Sequence, residues 1–136
     1  MPEPSEARKA QFLRDMPNAI VATNRRGGGP QLTPNWFLWR GSDFLVSTAA
    51  DTAKVANIRR DPHVSLCIDD PASGDYVSVF GVATIVEGDA VKAPTLDLIR
   101  KYRDEADVLP HWEAISREAE RVILIIRPER ILWRTH

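Results

Sequence analysis

The sequence predicts an α+β domain, mainly β, in which an antiparallel sheet closes into a barrel with short helices inserted between its strands. Three observations carry this. Strand-like segments follow one another through turns rich in Gly, Pro and Asp, without the helix after nearly every strand that a parallel sheet requires. Helical spacing is confined to a few short stretches set between those strands. The run Val122-Ile123-Leu124-Ile125-Ile126 is apolar at every position, as expected of a strand buried on both faces.

Taken in order, Ser5 is placed to cap a leading helix whose Ala7, Phe12, Leu13 and Met16 recur at near-helical spacing, and Pro17 closes it. Ala19 to Asn24 reads as a strand. Arg25 to Pro30 supplies turn residues, and Gln31 to Arg40 returns as the second arm of a hairpin. In that arm the period of two puts Leu32, Pro34, Trp36 and Leu38 on one face and Thr33, Asn35, Phe37 and Trp39 on the other. Aromatic bulk on both faces calls for a partner subunit or a flat ligand, and Pro34, which has no ladder donor, predicts an edge or a bulge.

Gly41-Ser42-Asp43 turns the chain into a strand from Phe44 to Thr48. Asp51 is then expected to cap a helix from Thr52 to Arg60, ended by Asp61-Pro62. His63 to Asp69 is the next strand. A polar turn leads to a long strand, Tyr76 to Glu87, in which Gly81 predicts a bulge or a close backbone approach. A helix is expected over Ala90 to Arg103 and a shorter one over Trp112 to Glu120. The apolar run from Val122 follows, and Ile131-Leu132-Trp133 forms one further strand after Pro128. No repeat or linker divides the chain, so residues 1–136 are read as one domain.

Composition narrows the function. With 136 residues, 43% of them hydrophobic, the chain has enough apolar surface for a core of its own. A net charge of −1 provides no global positive field, so nucleic acid and anionic membrane surfaces are not expected partners. The single cysteine, Cys67, permits no internal disulfide, and its apolar run assigns it to the core. Together with an N-terminus lacking an apolar leader, this points to a reducing, cytoplasmic setting. His63, His111 and His136 lie far apart with no ligand spacing, so no metal is expected, and no Ser-His-Asp context suggests a nucleophile. Reactivity would have to come from a cofactor.

The most informative segment is Ser47 to Asn57. Two hydroxyls, Ser47 and Thr48, close a strand, and Lys54 enters the first turn of a helix. A cation there opposes the helix dipole unless lysine and free backbone N–H groups grip an anion together. A solvated lysine is the plainer alternative. Trp36, with Thr33 and Asn35 beside it, offers a flat aromatic surface and hydrogen-bonding groups for an isoalloxazine-like ring, although core packing accounts for a tryptophan equally well. Gly27-Gly28-Gly29 leads into no helix and is a hairpin turn, not a phosphate loop.

Pro30-Gln31-Leu32-Thr33-Pro34-Asn35-Trp36-Phe37, Lys54-Val55-Ala56-Asn57-Ile58-Arg59-Arg60-Asp61-Pro62, Tyr76 to Gly81 and Arg127-Pro128-Glu129-Arg130 together resemble the pyridoxamine 5'-phosphate oxidase-like superfamily, in its short flavin- or deazaflavin-dependent branch. The Lys-x-x-Asn-Ile-x-x-Asp-Pro stretch is the most specific. The resemblance implies an FMN-binding split β-barrel, a homodimer, and a cofactor in each of two grooves between subunits. It implies that Ser47, Thr48 and Lys54 hold the cofactor phosphate, that Asn57 supports their loop, and that Thr33, Asn35 and Trp36 flank the ring. Two departures stand out. Pyridoxamine phosphate oxidases proper continue past the position of Trp133 with a substrate-holding arginine and histidine, so vitamin B6 phosphates are not the expected substrate. Relatives often place an arginine where this chain has Thr52.

The activity this implies is hydride transfer from a reduced deazaflavin, coenzyme F420, to a small unsaturated molecule. Tyr76 is the only nearby candidate proton donor, and no catalytic residue is assigned. An FMN-dependent oxidoreductase on the same barrel is the alternative. Arg25, Arg26 or Arg59 would then distinguish the two by lining a basic exit path for the anionic deazaflavin tail. A non-catalytic flavin or haem carrier or sensor is the reading from another class.

Overall fold

In a computed structural model, which describes residues 3–136, seven strands form one antiparallel sheet. Met1 and Pro2, part of the N-terminus read as lacking a leader, lie outside the described residues. The leading helix α1 (Glu6–Asp15) is capped by the Ser5 hydroxyl, which accepts from the Arg8 N–H at 3.1 Å. The strands are β1 (Ala19–Thr23), β2 (Gln31–Asn35), β3 (Leu38–Trp39), β4 (Phe44–Ala49), β5 (His63–Asp69), β6 (Tyr76–Val86) and β7 (Arg121–Arg134). Helix α2 (Ala53–Arg60) joins β4 to β5. A 3-10 turn (Gly88–Val91) and helices α3 (Lys92–Arg100) and α4 (Glu105–Glu118) lie between β6 and β7.

The strand order, β2-β1-β5-β6-β7-β4-β3, explains the barrel. β2 and β3 stand at opposite edges of the sheet yet are consecutive in the chain, with only Trp36 and Phe37 between them. Three peptide units reach about 11 Å at most, so the two edges must curl toward each other. The expected single strand from Gln31 to Arg40 is therefore two. The chain leaves the ladder at Trp36 because its first half pairs with β1 and its second with β4.

The peptide groups freed at this corner are taken up by the segment that follows α3. The Tyr102 hydroxyl accepts the Phe37 N–H at 2.9 Å, and the Lys101 ammonium donates to the Phe37 carbonyl at 3.1 Å. The same ammonium donates to the carbonyls of Leu13 at 3.2 Å and Met16 at 2.9 Å, which fixes the end of α1 across the corner. Buried backbone groups are nearly always paired in native proteins, and here two side chains do what the ladder does elsewhere.

The main core fills the barrel, with Val21, Phe44, Val46, Leu66, Val79, Leu124 and Ile126 facing inward and Phe12 and Leu13 of α1 packed against them. A second cluster, Leu45, Val91, Leu98 and Ile123, lies between the opposite face of β4 and β7 and the helical insert. The run from Val122 is thus buried on both faces, the second by the chain's own helices. Gly81 marks a bulge, since the β6–β7 register shifts between Phe80 and Gly81, and a Cβ there would run into the Arg127 carbonyl. That bulge lets β7 continue through Pro128, so one 14-residue strand replaces the two expected.

Three further expectations are corrected. Thr52, not Asp51, caps α2, its hydroxyl accepting from the Val55 N–H. α4 begins at Glu105, well before Trp112, and runs through Pro110, which sits at an exposed position. Cys67 is exposed on the outer face of β5 and is not a core residue. Its thiol pKa is pushed up by partial burial and by Asp69, which leaves it a poor nucleophile all the same. No described helix is long and apolar enough to cross a membrane.

Candidate functional site

Helix α2 starts two residues after a turn that follows β4, which brings its first turn against the open end of the barrel. Lys54 lies in that turn and is buried, 6% exposed. Its ammonium donates to the Asn35 side-chain carbonyl at 2.6 Å. The Asn35 amide nitrogen in turn donates to the Thr33 carbonyl at 2.8 Å and the Thr33 hydroxyl at 3.0 Å, an arrangement that orients the asparagine oxygen toward the lysine. Burial, and then the charge of Arg121, lower the Lys54 pKa to about 8.

Ser47 and Thr48, adjacent on β4, point to opposite faces as the strand period requires. The Ser47 hydroxyl accepts from Arg121 Nη2 at 2.9 Å. Thr48 is buried on the other side, its hydroxyl 3.4 Å from that of Thr52. Asn57 stands deeper on α2, where its amide donates to the Thr23 hydroxyl at 3.1 Å. It ties the helix to β1 and does not reach the lysine's partners.

Asn35, Trp36, Ser47 and Arg121 share a cavity of about 220 Å³, closed on its far side by Thr95 of α3 and His111 of α4. Trp36 stacks on Tyr102, ring centroids 4.1 Å apart and planes within 6°, and His111 lies 5.4 Å from it. With the Arg103 guanidinium also 4.7 Å from its centroid, the indole is engaged by three of the protein's own side chains and serves as a wall of the cavity. Of the seven residues singled out from the sequence, Thr33, Asn35 and Lys54 form one hydrogen-bonded chain, and Trp36 and Ser47 flank it across the cavity. Thr48 and Asn57 stand behind.

Arg121 was not legible as part of this constellation. It follows two helices and opens β7, and only the pairing of Ala49 with Arg121 across the sheet places it beside β4. Its basic character just before an apolar strand was the one available signal. Among the described residues neither Lys54 nor Arg121 forms an ion pair with a carboxylate, although the charge of Glu118 is felt at Arg121. A buried and a half-buried cation without a counter-ion, beside hydroxyl and amide groups, fit an oxyanion better than any apolar ligand. No cluster of metal-ligating side chains occurs among the described residues.

The family model described as pyridoxamine 5'-phosphate oxidase matches residues 5–133. The chain belongs to this family. Among solved structures it is similar to a conserved hypothetical protein, Rv2991, from Mycobacterium tuberculosis, at 27% identity and a TM-score of 0.82, covering 98% of this chain and 86% of that one. It is similar also to a protein described as an F420 reductase, at 28% identity and a TM-score of 0.72, with 97% and 98% covered. The heme storage protein HutZ from Vibrio cholerae shares the fold, at 15% identity and a TM-score of 0.74, covering 93% of this chain and 92% of that one. The fold is thus shared with proteins described as an F420 reductase and as a heme storage protein. The remaining candidates of the sequence lie elsewhere on this chain: Tyr76 lines a separate surface recess with Ser78 and Leu132. Arg25 folds back on the Gly29 carbonyl of its own turn, and Arg59 pairs with Glu87.

Proposed function

We propose that the chain is an oxidoreductase that takes a hydride from a reduced deazaflavin, coenzyme F420, and delivers it to a small unsaturated molecule, working as a homodimer. The observation that carries this is Lys54, a buried cation in the first turn of α2 with no carboxylate partner among the described residues, aimed by Asn35. A helix N-terminus and a lysine that both favour negative charge suit a phosphate, and the similarity to an F420 reductase supplies the cofactor class.

The cofactor, when bound, supplies the hydride. The chain's own residues do the rest. Lys54, the backbone of the α2 first turn and the Ser47 hydroxyl would hold the phosphate, with Thr48 behind them, its hydroxyl turned to that of Thr52. Thr33 and Asn35 present polar groups toward the ring, and Trp36 limits access of water on the side of the helical insert.

The homodimer reading rests on an apolar face. Leu32 (62% exposed), Phe80, Leu132 and Tyr76 project outward from β2, β6 and β7, and Leu132 lies opposite Ser78 between Tyr76 and Phe80. A monomer seldom leaves a patch of such residues in water.

FMN on the same barrel is the second reading. Arg25 and Arg59 are engaged with their own neighbours, so they do not assemble the basic path an anionic deazaflavin tail would use, whereas FMN ends at its phosphate. The test is to mix the protein with reduced deazaflavin and a panel of enones and quinones and follow the coenzyme's reoxidation. Protein-dependent reoxidation supports the leading reading. Turnover only with reduced FMN transfers the function to the second, and binding of either cofactor without turnover makes the protein a carrier.

A further inference from the structure

We propose that Arg121 is a ligand of the same oxyanion site, reaching it from β7 so that the guanidinium and the Lys54 ammonium close on one phosphate-type group from two sides. This deepens the reading above and rests on its placement of the phosphate, but it assigns a residue that neither the helix motif nor the strand motif contains.

Three features of the geometry point to it. Arg121 makes one side-chain hydrogen bond, Nη2 to the Ser47 hydroxyl, and its Nε is buried without any partner among the described residues. Buried donors are rarely left so, and a guanidinium edge with a free Nε is shaped for the paired oxygens of a carboxylate or phosphate. Arg121 lines the cavity of about 220 Å³ whose other polar walls are Asn35, Ser47, Thr95 and His111, a volume that admits a phosphoryl group.

The charges facing the cavity are also lopsided. Arg121 of β7 and His111 of α4 line it, Lys54 of α2 stands behind its Asn35 wall, bonded to Asn35 Oδ1, and Arg103 lies over the Trp36 ring. Among the described residues Glu118 is the only acid whose charge reaches Arg121. Arg121 makes Lys54 and His111 both less willing to carry a proton: after burial, its charge lowers the Lys54 pKa, and with Arg103 it lowers that of His111. An oxyanion would relieve all of them at once.

The experiment titrates inorganic phosphate into the wild-type protein while following the Arg121 Nε–H resonance by NMR, assigned with Arg121→Lys. It then repeats the binding measurement on Arg121→Gln and Arg121→Lys. A saturable downfield shift of Nε–H, with phosphate binding at least about tenfold weaker in Arg121→Gln and partly retained in Arg121→Lys, is the expected result. An Nε–H that stays unmoved while phosphate binds, or that never responds to phosphate, overturns the inference without requiring any variant to fold. FMN and reduced deazaflavin are titrated in parallel. Phosphate gripped by Arg121 but displaced by neither cofactor keeps this inference and removes the cofactor reading. Cofactor binding that is unchanged in Arg121→Gln does the reverse.

Discussion

Lys54 Nζ lies 2.6 Å from Asn35 Oδ1, and this one bond joins the first turn of α2 to the last residue of β2. The lysine is thereby held inside the barrel mouth, where an ordinary first-turn lysine would extend into water. The asparagine offers a dipole but no charge, so the ammonium is oriented without being neutralised. A site of this kind is preorganised for an incoming anion.

Replacing Asn35 should therefore act through the lysine. Asn35→Leu removes the acceptor, lowers the Lys54 pKa further below about 8 and weakens anion binding. Asn35→Asp raises the lysine pKa and still weakens binding, because the new carboxylate competes with the ligand. Side-chain NMR titration of Lys54, alongside cofactor affinity, checks both, and the opposite pKa directions with a common loss of affinity are the diagnostic result.

The pH dependence has two parts of opposite sign. The folded pKa of Lys54, about 8, lies below its ordinary 10.5, so between these values the unfolded chain binds more protons and stability of the ligand-free protein rises with pH. Lys101, likewise lowered to about 8 by burial, adds to the same slope. Anion affinity moves the other way, falling by up to about tenfold per pH unit above pH 8 until the pKa of the bound form is reached. Denaturant melts and cofactor titrations across that range measure the two separately. Lys54→Met should flatten the first slope in part and abolish the second.

Tyr102→Phe removes the acceptor of the Phe37 N–H at the corner between β2 and β3. Leaving that donor unpaired should cost about 1–3 kcal/mol in urea denaturation. The hydroxyl pKa, pushed up to about 12 by burial, means the phenol stays protonated across any working pH, so the effect should not vary below pH 10.

Gly81→Ala places a methyl group against the Arg127 carbonyl and the Pro128 backbone. Neither atom belongs to a flexible side chain, so the bulge must open, and a loss of about 1–3 kcal/mol is expected. Hydrogen exchange should show the added opening in β6 and β7, with β1 and β2 unaffected.

A charge on the outer face tests the dimer. Leu132→Asp leaves the barrel interior untouched, since the side chain is exposed, and light scattering should find a dimer for the wild type and a folded monomer for the variant. A wild-type monomer would remove the between-subunit groove.

Much of the fold was legible because local chemistry and pattern agreed. Ser5, Gly81 and the run from Val122 each announced a cap, a bulge and a doubly buried strand that the structure contains. What was hidden depended on distant residues. The break at Trp36 follows from which strands β2 and β3 pair with, and periodicity within one segment carries no pairing information. Asp51 and Thr52 are both capping residues, and only the backbone turn after Ala49 selects the second. In the site, Lys54 and Asn35 could be named from motif and face, but their bond spans 19 positions. Arg121, 74 positions from Ser47, had no local sign of its partner at all.

The most direct measurement is a fluorescence titration of the purified protein with reduced and oxidised deazaflavin and, separately, with FMN, repeated on Lys54→Ala. The account predicts saturable binding of at least one of these cofactors, with affinity at least about tenfold lower in Lys54→Ala and circular dichroism unchanged. Binding of equal strength in the variant, or no binding of either cofactor to the wild type, would contradict the phosphate site built around Lys54.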